Sequence, residues 1–342
     1  MANILILGAG TMGTAFSFPC SDNNHSVSIV GTHLENDFID QINTSKKHPA
    51  LGCEIPKNVK FSKFQKFKEE ADKKIDLIVV AVISKGIDWA SDEISKVIKN
   101  NVPILILTKG LSINNNNFEV LAHKMERLLK KNGVKEINIS AAGGPCLAKN
   151  LANKAHTAVV FANKDIKIAE KISKLVSTDY YHVSSSDDVV GVEACAAIKN
   201  IFSMAVGASQ GLCDAKQSKE KNYLNTAAAL MQESIYEMII FVEKLKGKKE
   251  TVIGLAGIGD LYVSADGGRN SKMGEHLGQG MTFQEAKKTK MANITVEGAD
   301  LALEIGAKVK KDFDIKTLPL MISMINTICE EKPLKVDWKN FK

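Results

Sequence analysis

The first residues restrict the fold more than any other part of the chain. "NILILGAGTMGTAF" is a continuous apolar run that ends in Gly8, Gly10 and Gly13, spaced as GxGxxG, with a helix-like segment after them. A buried strand that runs through such a turn into a helix forms the start of a dinucleotide-binding βαβ unit. Each glycine has a physical task in that reading. Gly8 makes the tight turn, Gly10 lets the backbone approach a pyrophosphate, and Gly13 lets the helix pack close on the strand. The phosphates then face the helix N-terminus at Thr11 and Met12. Pro19 falls inside the expected helix and predicts a kink or an early end there.

The next 170 or so residues continue the alternation. Strand-like runs follow at "HSVSIVGT", 75–83, 102–110, 136–145, 156–163 and 180–187, with helix-length segments such as 118–131 and 167–176 among them. Buried β-branched runs alternating with helices predict a doubly wound, mainly parallel sheet of the Rossmann type. After about residue 188 the strand-like runs stop. Helical patterns take over at 189–210, 223–245, 282–289, 298–306 and 318–331, separated by the glycine-rich breaks "GLAGIGD" and "SADGGRN". The expected organisation is therefore an α/β nucleotide-binding domain over 1–187 and an all-helical substrate-binding and catalytic domain over 188–342.

Composition narrows the function classes. An apolar fraction of 44% and a charged fraction of 25% over 342 residues describe a globular protein with a large core. The net charge of +6 comes from basic residues scattered without interleaved aromatics, which suits an anionic small molecule and not a nucleic acid. The longest apolar segment carries Glu193, Lys199 and Asn200, which argues against a membrane span. Cys20, Cys53, Cys146, Cys195, Cys213 and Cys329 form no CxxC pair, so neither a disulfide framework nor a metal site is expected. No signal-peptide pattern opens the chain, and a cytoplasmic location is expected.

Three kinds of place carry candidate chemistry: strand ends, a loop and an apolar segment. Lys109 in "LTKGL" and Gly143–Gly144–Pro145 close two strands, where open α/β sheets bind ligands. Only Arg127 and Arg269 are arginines, and Arg269 with Asn270 follows a glycine-rich loop. A guanidinium grips a phosphate bidentately as a lysine cannot, so Arg269 is the candidate anion clamp. The third is Lys199, inside "VVGVEACAAIKNIFSMAVGA". On a fully packed helix its ammonium must find a partner or lose its proton; on an exposed edge it would snorkel to water. Asp260 is the candidate partner, and a buried lysine so held suits proton transfer to or from a substrate oxygen.

Cofactor choice rests on the end of the second strand. The place for an acid that would bind the ribose of NAD holds Thr32 and His33, with Glu35 a little later. No charge there excludes a 2′-phosphate and no arginine welcomes it, so NAD and NADP both stand, with a slight lean to NADP.

The ordered set "GAGTMGTA", "TKGL", "GGPCLAKNLA", "AAIKN", "GIGDLYVS", "GRN", "LGQGM" and "TVEG" resembles the NAD(P)-dependent glycerol-3-phosphate dehydrogenase family over nearly the whole chain. The resemblance implies reversible reduction of dihydroxyacetone phosphate to sn-glycerol 3-phosphate, the precursor of phospholipids. It implies Lys199 as general acid and base with Asp260 beside it. Lys109, Gly144, Asp260, Arg269 and Asn270 would meet the substrate. Gly8, Gly10, Thr11, Met12, Gly13, Thr32, Lys109, Ala148, Arg269, Val296 and Glu297 would meet the cofactor. No metal is implied, and a homodimer is an expectation from the apolar helical half. This chain departs from the family pattern at Gly143 for serine, Cys146 for threonine, Ser264 for threonine, and "NTAAALMQES" (225–234), where an arginine is missing. Two other readings are a related dehydrogenase of a 3-hydroxy acid or ketopantoate, which would need a carboxylate clamp, and a nucleotide sensor without catalysis.

Overall fold

A computed structural model describes residues 1–98, 101–213 and 223–341. The chain forms two compact units, Met1–Lys109 with Val120–Val192, and Gly110–Glu119 with Glu193–Lys342.

The first unit contains strands β1 (Asn3–Leu7), β2 (Ser26–Val30), β3 (Val59–Ser62), β4 (Leu77–Val80) and β5 (Ile104–Ile106). After β6 (Leu111–Asn114) and β7 (Asn117–Val120), which form a separate two-stranded ribbon, it continues with β8 (Ile139–Gly143), β9 (Thr157–Ala162) and β10 (Tyr181–Ser186). The main sheet has the order β10-β9-β8-β5-β4-β1-β2-β3. All its pairs are parallel except β8 with β9. Strand order reverses beside β1, so the topological switch point, where sheets of this kind bind ligands, lies at the carboxyl ends of β1 and β4. Helices α1 (Thr11–Asp22), α2 (Asn36–Ser45), α3 (Phe67–Asp72), α4 (Ile87–Ser95), α5 (Leu121–Lys131), α6 (Ala148–Ala152) and α7 (Ile166–Val176) make the crossovers. The strands are buried on both faces, as β1 (Ile4, Leu5, Ile6, Leu7) and β4 (Leu77, Ile78, Val79, Val80) show. Phe16 and Phe18 of α1 join Ile4, Ile6, Phe161 and Ile172 in one apolar cluster.

Helix α1 runs past Pro19 to Asp22, and Asn23 N donates to Pro19 O at 3.2 Å. The early end expected at the proline does not occur. Burial of Phe16, Phe18, Pro19 and Cys20 on one helix outweighs the single amide that proline removes. The helix expected over 118–131 starts only at Leu121. Asn115 and Asn116, both with positive φ (48° and 60°), turn β6 into β7, as two-residue hairpins require.

In the second unit the described helices are α8 (Val189–Leu212, whose first turn lies in the first unit), α9 (Leu224–Lys244), α10 (Lys249–Val252), α11 (Asp260–Ala265), α12 (Arg269–Gly278), α13 (Phe283–Thr289), α14 (Glu297–Asp312) and α15 (Pro319–Cys329). Helix α8 has the length and mean hydropathy (24 residues, 1.6) of a membrane span, yet 94% of its most apolar window is buried within the protein. It is a core helix. "GLAGIGD" is no break: Leu255–Gly259 is a π-helical turn that runs straight into α11. Gly257 makes that possible, because a Cβ there would lie 1.9 Å from the Val252 carbonyl oxygen.

Candidate active site

At the switch point of the first unit, Gly8 N donates to Val30 O at 2.8 Å, so the glycine turn lies against the end of β2. Gly8 has φ +110°, and a Cβ on it would meet Ala81 O, just past β4, at 2.7 Å. A Cβ on Gly13 would meet Gly8 O at 2.5 Å and the Ala81 side chain at 2.8 Å. These two glycines are demanded by backbone packing. Gly10 differs: nothing lies within 4 Å of the position its Cβ would take. It caps α1, whose first turn has no side-chain cap and no acidic residue. Space is thus open around Gly10 at the helix N-terminus, and among the described residues no side chain caps it, which fits a pyrophosphate. Apolar Leu34 and Ile83, 82% and 74% exposed, stand just beyond β2 and β4 and offer surface for a base.

Thr32 and Glu35 lie in the turn after β2. The Glu35 carboxylate oxygen Oε2 accepts from Thr32 N at 2.6 Å and from Ala9 N at 3.3 Å. In the sequence Glu35 lies a little past the place expected for a ribose-binding acid; the chain folds back and brings its carboxylate to the glycine turn. His48 is buried nearby and its Nδ1 accepts from Ala50 N and Leu51 N at 3.2 and 3.3 Å. Burial holds its pKa below the ordinary histidine value against the pull of the Ala9 backbone and Glu35, so its ring is neutral near pH 7.

Lys109 follows β5 and is half-buried; the preceding Thr108 hydroxyl donates to Val82 O at 2.7 Å and pins that strand end. Gly144 has φ +114°, and a Cβ there would come within 3.1 Å of Val159 Cα. Ala148 opens α6.

In the second unit the lysine question has a geometric answer. Lys199 is 6% exposed and Asp260 2% exposed. Lys199 Nζ donates to Asp260 Oδ1 at 2.9 Å, across 61 residues of sequence. It also donates to Ser264 Oγ. Asp260 and Ser264 are one helical turn apart on α11, so both face α8. The ammonium is held by a carboxylate and a hydroxyl at a buried position, where an unpaired charge would be costly. Ser264 was not among the expected site residues; its spacing of four from Asp260 was the available signal.

A second cluster adjoins it through Asn200. Asn270 Nδ2 donates to Asn200 Oδ1 at 3.0 Å, and Gly298 N donates to Asn270 Oδ1 at 3.0 Å. Asn270 therefore ties the N-termini of α12 and α14 to α8. Glu297 accepts from Arg269 Nη2 at 3.0 Å and from Asn200 Nδ2 at 3.4 Å. Val296, buried, is the N-cap of α14. Arg269 does not hang from a loop: it opens α12, after Gly268, with no acidic residue in the first turn. Its half-exposed guanidinium and that helix N-terminus make a place for an anion. The structure thus groups Lys199, Asp260, Arg269, Asn270, Val296 and Glu297 in one unit. It groups Gly8, Gly10, Thr11, Met12, Gly13, Thr32, Lys109, Gly144 and Ala148 in the other. Among the described residues, no group of three or more His, Cys, Asp or Glu side chains could hold a metal ion.

A Rossmann-type sheet with an open GxGxxG turn, followed by helices that carry a buried lysine, defines a pyridine-nucleotide-dependent oxidoreductase. Comparison with known proteins makes the class specific. Residues 3–169 match the family "NAD-dependent glycerol-3-phosphate dehydrogenase N-terminus" and residues 188–337 its C-terminus. The chain is 30% identical over 316 residues to an NADP(+)-dependent glycerol-3-phosphate dehydrogenase of Archaeoglobus fulgidus, covering 90% of this chain and 91% of the relative. It is 31% identical over 315 residues to a glycerol-3-phosphate dehydrogenase [NAD(P)+] of Francisella tularensis, covering 90% and 88%. Its fold is shared with the glycerol-3-phosphate dehydrogenases of Coxiella burnetii (TM-score 0.80, 24% identity, 97% of this chain and 96% of that one) and Saccharomyces cerevisiae (TM-score 0.81, 20%, 97% and 97%). The chain belongs to the NAD-dependent glycerol-3-phosphate dehydrogenase family, oxidoreductases that use NAD or NADP and a small phosphorylated substrate.

Proposed function

We propose that Lys199 is the general acid and base of glycerol-3-phosphate dehydrogenation in this protein. The observation that carries the reading is the buried Lys199–Asp260 pair, 2.9 Å apart, with Ser264 as a second ligand of the ammonium. A dinucleotide held at the glycine turn would supply hydride chemistry at the ketone carbon of dihydroxyacetone phosphate, reversed for glycerol 3-phosphate. As the ketone oxygen gains negative charge, Lys199 Nζ gives it a proton and the alcohol results. In the other direction the neutral amine takes the hydroxyl proton. Asp260 and Ser264 fix Nζ in both states. Arg269 and the N-terminus of α12 hold the phosphate, and with Lys109 and Asn270 they hold the reacting carbon in place; that positioning supplies much of the rate.

Under this reading residues 1–187 bind the nucleotide, with Gly8, Gly10, Thr11, Met12, Gly13, Thr32, Gly144 and Ala148 around it. Residues 188–342 supply the catalytic groups, and Val296 and Glu297 complete the nucleotide contacts. The protein works in the reducing cytoplasm, alone or as a homodimer, and supplies glycerol 3-phosphate for phospholipid synthesis.

The test is Lys199→Ala. Turnover of dihydroxyacetone phosphate should fall by at least about a hundredfold, the usual scale for a lost general acid, while NAD(P)H still binds. Near-normal turnover in that variant would remove Lys199 from the mechanism.

A further inference from the structure

We propose that Glu35 makes this protein select NAD over NADP. The proposal rests on reading the switch point of the first unit as a nucleotide site. In that fold the adenosine ribose meets the carboxyl end of the second strand, where an acid bonds the 2′-hydroxyl of NAD. β2 ends at Val30, whose carbonyl oxygen accepts from Gly8 N, so the strand end abuts the glycine turn. The turn Gly31–Thr32–His33–Leu34 then reverses, with Glu35 N donating to Thr32 O at 3.0 Å. That reversal sends the Glu35 side chain back to the glycine turn, where Oε2 accepts from both Thr32 N and Ala9 N.

Two features turn this brace into a selector. First, a single oxygen serves both amides. Among the described residues Oε1 has no hydrogen-bond donor, which leaves it for a ribose hydroxyl. Second, among the described residues no lysine, arginine or histidine forms an ion pair with Glu35, and burial keeps the neighbouring His48 ring neutral. A 2′-phosphate would meet a carboxylate that no cation pairs with among the described residues; a 2′-hydroxyl would meet an acceptor. This choice is opposite to the one that the distance of Glu35 along the sequence suggests. It also differs from that in the name of the Archaeoglobus fulgidus relative, which is NADP(+)-dependent.

The experiment titrates the full chain with NADH and with NADPH, by nucleotide fluorescence without substrate, for wild type and for Glu35→Gln. Because both amides share one oxygen, the glutamine carbonyl can keep both bonds while the charge is lost. Wild type should bind NADH at least about tenfold tighter than NADPH. The variant should bring the ratio close to one, mainly through tighter NADPH binding. Equal or tighter NADPH binding by wild type would overturn the proposal. So would a variant that leaves the ratio unchanged or weakens both nucleotides alike, which is how a mere turn brace behaves. If neither nucleotide binds, the nucleotide reading falls and this proposal with it. If the NADH preference stands while dihydroxyacetone phosphate is not reduced, only the catalytic reading falls.

Discussion

The buried Lys199 ammonium is answered by Asp260 and Ser264. Removing one partner of a buried pair leaves the other charge uncompensated, which costs about 3–5 kcal/mol, whereas replacing both by apolar groups is often close to neutral. Asp260→Leu should therefore lower the stability of the protein by about that amount, read from urea unfolding. Lys199→Met with Asp260→Leu together should restore most of it, although both variants lose turnover. A double variant as unstable as Asp260→Leu alone would mean that the pair is not the source of the cost. Ser264→Ala, which removes one hydroxyl from the ammonium, should cost about 1–3 kcal/mol.

Helix α8 approaches its neighbours on glycine. A Cβ on Gly207 would meet Ser271 O at 2.2 Å, and one on Gly274 would meet Met204 O at 1.8 Å. On α14, a Cβ on Gly298 would meet Asn200 O at 2.4 Å. The obstacles are backbone atoms, which no rotamer change can move. Gly274→Ala should therefore force α12 away from α8 and destabilise the protein by about 1–3 kcal/mol, despite the ~1 kcal/mol gain in helix propensity. Because Arg269 and Asn270 ride on α12, turnover should fall with it; a variant of unchanged stability and activity would show that the helices yield freely. The small residues around Lys199 in "VVGVEACAAIKNIFSMAVGA" are the sequence counterpart of this close packing on α8. Other elements were not legible. The β6–β7 ribbon hid in "SINNNNFEV", because two adjacent asparagines at positive φ look like any polar connection until the strands on either side pair. β3 is four residues long, with one exposed lysine, and lies at the sheet edge, so its period is too short to detect. The helical character of "GLAGIGD" was masked by its glycines, which are there for close packing and not for a break.

Over the whole molecule, the alternation of apolar runs was enough to foresee a mainly parallel sheet followed by helices, since that pattern is local. The Lys199–Asp260 contact and the return of Glu35 to Ala9 were beyond any local pattern, because both depend on tertiary placement. So does Glu237, an unremarkable residue in sequence. It is fully buried on α9, and its carboxylate accepts from Leu320 N and, at 2.8 Å, from Met321 N at the start of α15. Burial, aided by the neighbouring Glu233 carboxylate, pushes its pKa from 4.5 up to about 8 against the pull of the two amides. In the unfolded chain the group releases its proton near 4.5, so between there and about pH 8 the folded state holds a proton that the unfolded state has lost. Stability must then fall as pH rises through that window, by a few kcal/mol at most from this one group. Glu237→Gln cannot ionise, so its stability relative to wild type should improve steadily from pH 5 to pH 8.5 in thermal or urea unfolding. A difference between the two proteins that stays constant with pH would mean that Glu237 is ionised in the folded state throughout, with the α15 amides and not burial deciding its charge.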